Sequence, residues 1–454
     1  MQRTGTYRIL DRVARFGRDE TGSATIVAIC FLMMFVVVGG IAVDFNRSIS
    51  DRTSLQITAD TAAHAALYTR EKKGVEEAKQ MALETIDNML PAAGFGENAV
   101  THSDVEFGVW DSQTATFVAD PGANSAVRVT AQMTQDRGNP SRNLLLQVIG
   151  QDTFDIAVTS TYSTYFPPCF TEGFVAEEVV DIQSNNSFSD GFCIHSNDYV
   201  SLNQNNFFEP GTIVSMPNLD RLDMPKSGFE RNEGLQTALR SGKYRLRLLS
   251  QLPDMIDSFW GGSGKYLPDF VDAGAVFDVP FGNDRLPDGT LAGSSLTPQH
   301  FEPNAVNRHS CGTSGKITME AGTYSEFLFI TDCEVKFANG VILEDVVVAT
   351  TNTSAMSLNS PSGLSVGRDD NCGTGGGAVL MTMGGFNAAA SLSVYGGQIL
   401  AVGDIQFAAN ADGIQGASFQ AKGRIEGTSN MNMGFCDYDG METAYRAPYF
   451  RMVN

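Results

Sequence analysis

The chain has 454 residues, enough for about three domains, and 42% of them are hydrophobic, which excludes general disorder. Thirty-one Lys and Arg stand against 52 Asp and Glu, a formal charge of −21, and this excludes the basic surface with which nucleic-acid binders displace counterions from phosphate. The 46 Gly show no Gly-X-Y period, which excludes collagen, and with 5 His and 2 Trp the composition speaks of location and assembly rather than of catalysis.

Residues 1–23 carry Arg3, Arg8, Arg12, Arg15 and Arg18, offset by Asp11, Asp19 and Glu20. Residues 24–43, Ala24 to Val43, hold no charge and no polar face. At ~1.5 Å per residue such a run spans ~30 Å, the thickness of a hydrocarbon core, and lipid demands that its backbone pair internally as a helix. Short Arg-rich flanks stay cytoplasmic, so residues 1–23 are expected inside and the bulk of the chain outside. A cleavable signal peptide has a shorter apolar region ending in a small-x-small site. No clear site precedes Asp44, so a retained single-pass anchor is expected.

Residues 44–166 are expected to form a helical stalk with a small α+β module. From Asp44 to Arg70 there is no Gly or Pro, and Leu55, Ala59, Ala62, Ala63, Ala66 and Leu67 recur at helical spacing. This face of small residues is expected to pack on a partner helix, from another subunit or a second copy. Gly74 breaks the pattern. A second amphipathic helix follows through Val75, Ala78, Ala82, Ile86 and Met89, with Pro91 as its expected stop. Val105, Phe107 and Val109 alternate, as do Val127, Val129 and Ala131, with a turn at Pro121-Gly122 between them, and predict a small sheet packed on the helices.

Arg18-Asp19-Glu20-Thr21-Gly22-Ser23, the apolar run, Gly40-Ile41-Ala42-Val43-Asp44 and Leu55-Gln56-Ile57-Thr58-Ala59-Asp60-Thr61-Ala62-Ala63 together resemble the TadE/TadG-like N-terminal module of the Flp, or tight-adherence, pilus-assembly machinery of bacteria. The resemblance covers about residues 15–70 and extends more weakly to about residue 166. It implies the bacterial inner membrane and, as partners, other pilus-assembly or minor pilin subunits, or the chain itself. Two departures stand out. Pre-pilins cut by the dedicated peptidase carry Glu five residues after the cut; counted from Gly22 that position is Val27, so a permanently anchored form is expected. The Asp-x-Ser-x-Ser motif of the von Willebrand-type domain found in some relatives does not occur.

Pro167-Pro168 marks a boundary, and residues 167–454 are expected to form a β-rich extracytoplasmic domain. Short apolar strands such as Val179–Ile182, Cys193–His195, Tyr199–Leu202 and Thr212–Met216 alternate with turns rich in Asn, including Asn185, Asn186, Asn205 and Asn206. Asn tolerates left-handed backbone and stacks its amide in ladders. The strand texture returns from Lys316 and continues through Phe327–Phe329, Val346–Val348, Val379–Met381, Ile399–Ala401 and Phe419–Ala421. Short strands at regular spacing fit a right-handed parallel β-helix, with a β-sandwich as the alternative. Residues 217–310 are expected to interrupt as helix and loop, with a helix over Arg231–Ser258 whose basic face carries Lys226, Arg231, Arg240, Lys243, Arg245 and Arg247.

Cys30 lies in the apolar run; Cys169, Cys193, Cys311, Cys333, Cys372 and Cys436 lie beyond it. An even count outside the cytoplasm points to disulfides, and sequence neighbours are expected to pair, at ~3 kcal/mol per bond. No CxxC and no ligand-spaced His favour a metal site over this. Gly261-Gly262-Ser263-Gly264-Lys265 and Gly312-Thr313-Ser314-Gly315-Lys316 echo a P-loop but lack its first Gly and its Ser/Thr after Lys, and read as turns. Glu344-Asp345 and Asp369-Asp370 are adjacent acids, which on a strand face opposite sides; they read as solvated surface, with calcium binding or catalysis as alternatives.

No enzyme activity, metal or cofactor is therefore expected. The predicted role is a membrane-anchored structural or accessory component of Flp pilus assembly, with an exported β-domain for scaffolding or adhesion. The alternatives are a membrane-tethered β-helix enzyme acting on carbohydrate and a glycan-binding adhesin.

Overall fold

The computed structural model describes residues 23–93, 98–312 and 315–453, so the basic segment of residues 1–22 lies outside the described residues. The chain divides into two units, one formed by Met1–Tyr165 with Pro448–Asn454 and the other by Phe166–Ala447.

In the first unit a single helix, α1 (Ser23–Arg70), runs for 48 residues, ~72 Å at 1.5 Å each. Over the apolar run its side chains point outward, Phe35 being 71% exposed. Beyond Asp44 the same helix turns amphipathic. Leu55, Ala59, Ala62, Ala63, Ala66 and Leu67 are fully buried, but not against another subunit. They pack on Ala78, Ala82 and Ile86 of α2 (Val75–Ala93) and on the apolar face of an antiparallel sheet of the same unit. Small side chains let the helix approach its own sheet closely, and this corrects the expectation of an intermolecular partner for that face. α2 runs past Pro91 to Ala93, so the proline falls in its last turn rather than ending it.

The sheet contains β1 (Val105–Asp111), β2 (Thr116–Ala119), β3 (Ala126–Met133) and β4 (Ile156–Tyr165). The order is β2-β1-β3-β4, and the last strand of the chain, Tyr449–Met452, adds itself antiparallel to β4 with Tyr449 opposite Tyr165. Val105, Phe107, Val127, Val129, Ala131, Ile156 and Val158 face the helices, as period-two burial requires.

The second unit is mainly β; the strands of its large sheet pair in parallel, and a small hairpin, Gly282–Arg285 with Leu291–Gly293, is antiparallel. Following partners from rung to rung gives one column: Val276, Val306, Leu328, Val347, Val379, Gln398, Ser418, then Gly173, Cys193 and Ile213, with Leu239 beside Val214 at the far end. Chain order therefore does not follow rung order. The domain begins in the middle of the column, builds to one end at Leu239–Ser241, crosses to the other end at Val276–Asp278, and returns. Its first rung lies between the second rung and the last. At ~4.8 Å per rung the crossing covers about 48 Å. A β-sandwich would need antiparallel sheets.

The crossing contains α3 (Arg247–Phe259), which buries Leu248, Leu249, Leu252, Met255, Ile256 and Phe259. The helix expected from Arg231 starts only at Arg247. Before it stand a one-turn helix, Leu235–Ala238, and the strand Leu239–Ser241. Gly234 has φ 83°, and a Cβ there would meet the Phe208 carbonyl oxygen at 1.9 Å, so the backbone turns where a longer helix would have passed. Of the expected basic face only Arg247 lies on the helix. Residues 217–310 are likewise not all interruption: Leu239–Ser241, Val276–Asp278, Ser295–Leu296 and Val306–His309 are strands of the column.

Candidate functional site: the anchor junction and the seam of the column

Asp44 ends the apolar run. Its side chain is 1% exposed, and its carboxylate accepts backbone N–H groups from Leu144 (2.8 Å), Leu145 (2.8 Å) and Leu146 (2.7 Å). Burial pushes this carboxyl up, but the three N–H groups and nearby Arg47 outweigh it and hold it below the usual carboxylate range. The charge thus fastens a turn of the α+β module, 100 residues later in the chain, to the residue that follows the apolar run. Farther along, Arg137 makes two hydrogen bonds to Asp104, at 2.6 and 2.7 Å, largely out of solvent.

The second structured place is the seam where the last rung meets the first. Two asparagine ladders cross it. Met431 N–H donates to Asn186 Oδ1 (2.9 Å), Asn186 N–H to Asn206 Oδ1 (2.9 Å), and Asn206 N–H to Asn232 Oδ1 (3.1 Å). Beside it Asn430, Asn185 and Asn205 all take left-handed backbone; Asn185 Nδ2 donates to Asn430 and Asn205 Nδ2 to Asn185. The buried Glu172 accepts N–H groups from Cys436 (2.7 Å) and Tyr438 (2.6 Å). Burial pushes its carboxyl up, those bonds pull it down, and Asp437 and Asp439 push it up again, leaving it raised. The structure joins Cys169 to Cys193, Cys311 to Cys333 and Cys372 to Cys436.

Several residues singled out in the sequence are engaged in hydrogen bonds of the fold. Asp345, within the strand Val341–Thr350, accepts from Gly376 N–H (2.8 Å) of a later loop, and Asp370 accepts from Arg368 (2.9 Å) and Gly373 N–H (2.7 Å) and so orders its own loop. Asp369 is exposed. Gly261–Lys265 is a turn after α3, and the second Gly-Lys phrase lies partly outside the described residues. His195 is buried with Nδ1 2.7 Å from Ser215 Oγ and Nε2 3.0 Å from Asn197 Oδ1. Burial pushes its pKa down, which keeps it a neutral linker between rungs. Among the described residues one His/Cys/acid group is close enough to share an ion, His309 with Cys311 and Cys333, and its sulfurs are bonded to each other rather than free as thiolates.

The sequence reading missed Asp181 and Glu426. They are register partners on adjacent rungs, 245 residues apart in the chain, in a shallow groove also lined by Gln183, Asn387 and Gln406. Gln406 Nε2 donates to Glu426 (3.1 Å) and Gln183 Nε2 to Asp181 (3.3 Å). Nothing local in the sequence marks such a pair.

Residues 22–71 match the model of the TadE/G-like Flp pilus-assembly family, and residues 53–161 that of a Tad-like Flp pilus-assembly family. The resemblance carried by residues 15–70 is thereby borne out, and the chain is a pilus-associated component with one apolar helix that fits a single-pass membrane anchor. Residues 173–437 match a domain of unknown function, DUF7867, over more than half of the chain. No curated protein and no solved structure matches it. The chain is a Tad-like Flp pilus-assembly protein and belongs to the DUF7867 family.

Proposed function

We propose that the chain is a non-catalytic structural subunit of the Flp pilus-assembly apparatus, anchored in the bacterial inner membrane with residues 1–23 in the cytoplasm. The column is read as a parallel β-helix, exported for scaffolding or adhesion. One observation carries this reading: the β-domain is an insertion in the Tad-like sheet. The chain leaves β4 at Tyr165 and returns as Tyr449–Met452 on the neighbouring strand, so both connections of the domain end in the membrane-proximal module. A domain held at both ends suits fixed display better than a loosely tethered catalyst. The cores of the two units are also separately packed, so each supports its own fold.

Crosslinking in intact envelopes of a piliated host, followed by identification of the joined proteins, tests the proposal. Pilus-assembly or minor pilin subunits joined to this chain are expected. Recovery without any pilus-machinery protein overturns the assembly role. A protease-protection assay on spheroplasts tests the topology; a β-domain protected from external protease overturns export.

A further inference from the structure

The turn that Asp44 fastens carries surface that its fastening does not explain. Residues 143–150 read Asn-Leu-Leu-Leu-Gln-Val-Ile-Gly, without a charge. Leu144, Val148 and Ile149 are 55%, 60% and 57% exposed, so three large apolar side chains face outward from one short turn. The turn lies against α1 at Gly40, where a Cβ would come within 3.1 Å of Leu145 Cβ and 3.3 Å of Leu146 Cδ2. Gly40 is inside the apolar run, about 5 Å before its end at Val43 by helical rise. The turn therefore reaches back beside the anchor, past the point where the run ends.

Its backbone suits that position. Non-helical backbone among lipid is costly unless its polar groups are paired. Here Leu144, Leu145 and Leu146 N–H go to Asp44, Val148 N–H to Leu145 O (3.1 Å) and Gly150 N–H to Gln147 O (3.0 Å). The Gln147 side chain donates to Leu144 O at 2.7 Å. Within the run α1 exposes Ile41 and Val43, and past its end it exposes Phe45 and Ile49 among the polar Asn46 and Arg47.

We propose that the turn Leu144–Ile149 is a second membrane contact, which inserts Leu144, Val148 and Ile149 into the leaflet at the C-terminal end of the anchor. The occupant of this apolar patch is lipid, because the patch is continuous with the apolar surface of the span. The inference rests on reading Ala24–Val43 as a membrane anchor. Interfacial segments sit ~5–10 Å deep, which matches the Gly40 contact. Two contacts on one bilayer fix the rotation of α1 about its axis and the orientation of the α+β module above the membrane.

The test uses the full chain in phosphatidylethanolamine–phosphatidylglycerol vesicles, with the disulfides kept oxidised and a nitrobenzoxadiazole label at one free cysteine. Three sites are compared: native Cys30 in the span, Val148→Cys with Cys30→Ser, and Val118→Cys with Cys30→Ser, Val118 being exposed on β2. Aqueous dithionite is expected to reduce the label at 118 fast, the label at 148 roughly tenfold more slowly, and the label at Cys30 not at all, with lipid-borne spin quenchers acting at 148 and not at 118. Equal rates at 148 and 118 with Cys30 protected overturn the second contact and leave the anchor standing. A reactive Cys30 overturns the anchor and the inference together. The same label at Ile149→Cys repeats the measurement at a neighbouring site and counts in the same way.

Discussion

In the α+β module most strands find their partners nearby in the chain, as Gly108 opposite Ala119 and Ala126 opposite Ser163 illustrate. In the β-domain the first rung is completed by the last, with Phe174 opposite Phe419 and Ile182 opposite Gly427. The module can thus assemble its helices and central strands as they emerge, and only its outer strand waits for the end of the chain. The seam of the β-domain cannot close until residues 418–433 exist, a non-local pairing whose loop-closure entropy must be met before its contacts form. The two units also bury a carboxylate each and treat it oppositely. Asp44 is held ionised by three N–H groups, whereas Glu172 has two such bonds and the like charges of Asp437 and Asp439 nearby.

The sharpest way to separate the units is a seam residue. Phe174 is fully buried against Phe192, Phe407 and Phe419, which come from both sides of the seam. Phe174→Ala is expected to cost the β-domain about 4 kcal/mol. The chain's two tryptophans report separately, Trp110 from β1 and Trp260 from the end of α3. Denaturation followed in single-tryptophan variants should move the Trp260 transition and leave that of Trp110; a shift of both would show that the units unfold together.

The converse substitution is Ala62→Leu. Ala62 has no exposed surface between α1 and its own sheet, so added volume is expected to cost the module about 2 kcal/mol, read at Trp110. A neutral effect would mean that the helix face is loosely packed, as an intermolecular surface would be.

Asn206→Ala removes the acceptor of Asn186 N–H and the donor to Asn203 O. The loss expected in the β-domain is about 1.5 kcal/mol, because the Asn186 N–H is left buried without a partner. Hydrogen exchange should quicken at Asn186 first, with the first rung following.

The smallest effect is in pH, and its sign differs between the units. The lowered pKa of Asp44 means that its contribution is present above the ordinary carboxylate value and fades as pH falls through the folded value. The raised pKa of Glu172 means that its ionised form weighs against the fold, and protonation relieves this as pH falls through the folded value. Acid strong enough to protonate Asp44, below the ordinary carboxylate range, should therefore lower hydrogen-exchange protection at Leu144–Leu146, whereas protonation of Glu172, which comes at higher pH, should raise the stability of the β-domain read at Trp260. The same direction at both places would contradict the assignment of causes.

Much of this was legible from local pattern. The apolar run, the stalk helix with its small-residue face, and the Asn-rich turns follow from composition and periodicity over a few residues. The helix expected from Arg231 fails for a reason the periodicity does not carry, the close approach of Gly234 to Phe208. Likewise, the small-residue face of α1 announces close packing but not against what, and the structure supplies α2 and the sheet of the same chain.

The amino-acid sequence by itself determined that the chain has an apolar run long enough to span a membrane, a stalk helix and a strand-rich C-terminal part with an even set of cysteines, since charge, apolar run length and residue periodicity act over one or two turns of backbone. Only the tertiary structure decided that residues 173–188 lie between the last and second rungs, that Asp181 stands beside Glu426, and that Asp44 holds Leu144–Leu146. These pairings join positions from 20 to 245 residues apart, and they are selected by hydrogen-bond satisfaction and packing of the whole chain, which no local window contains.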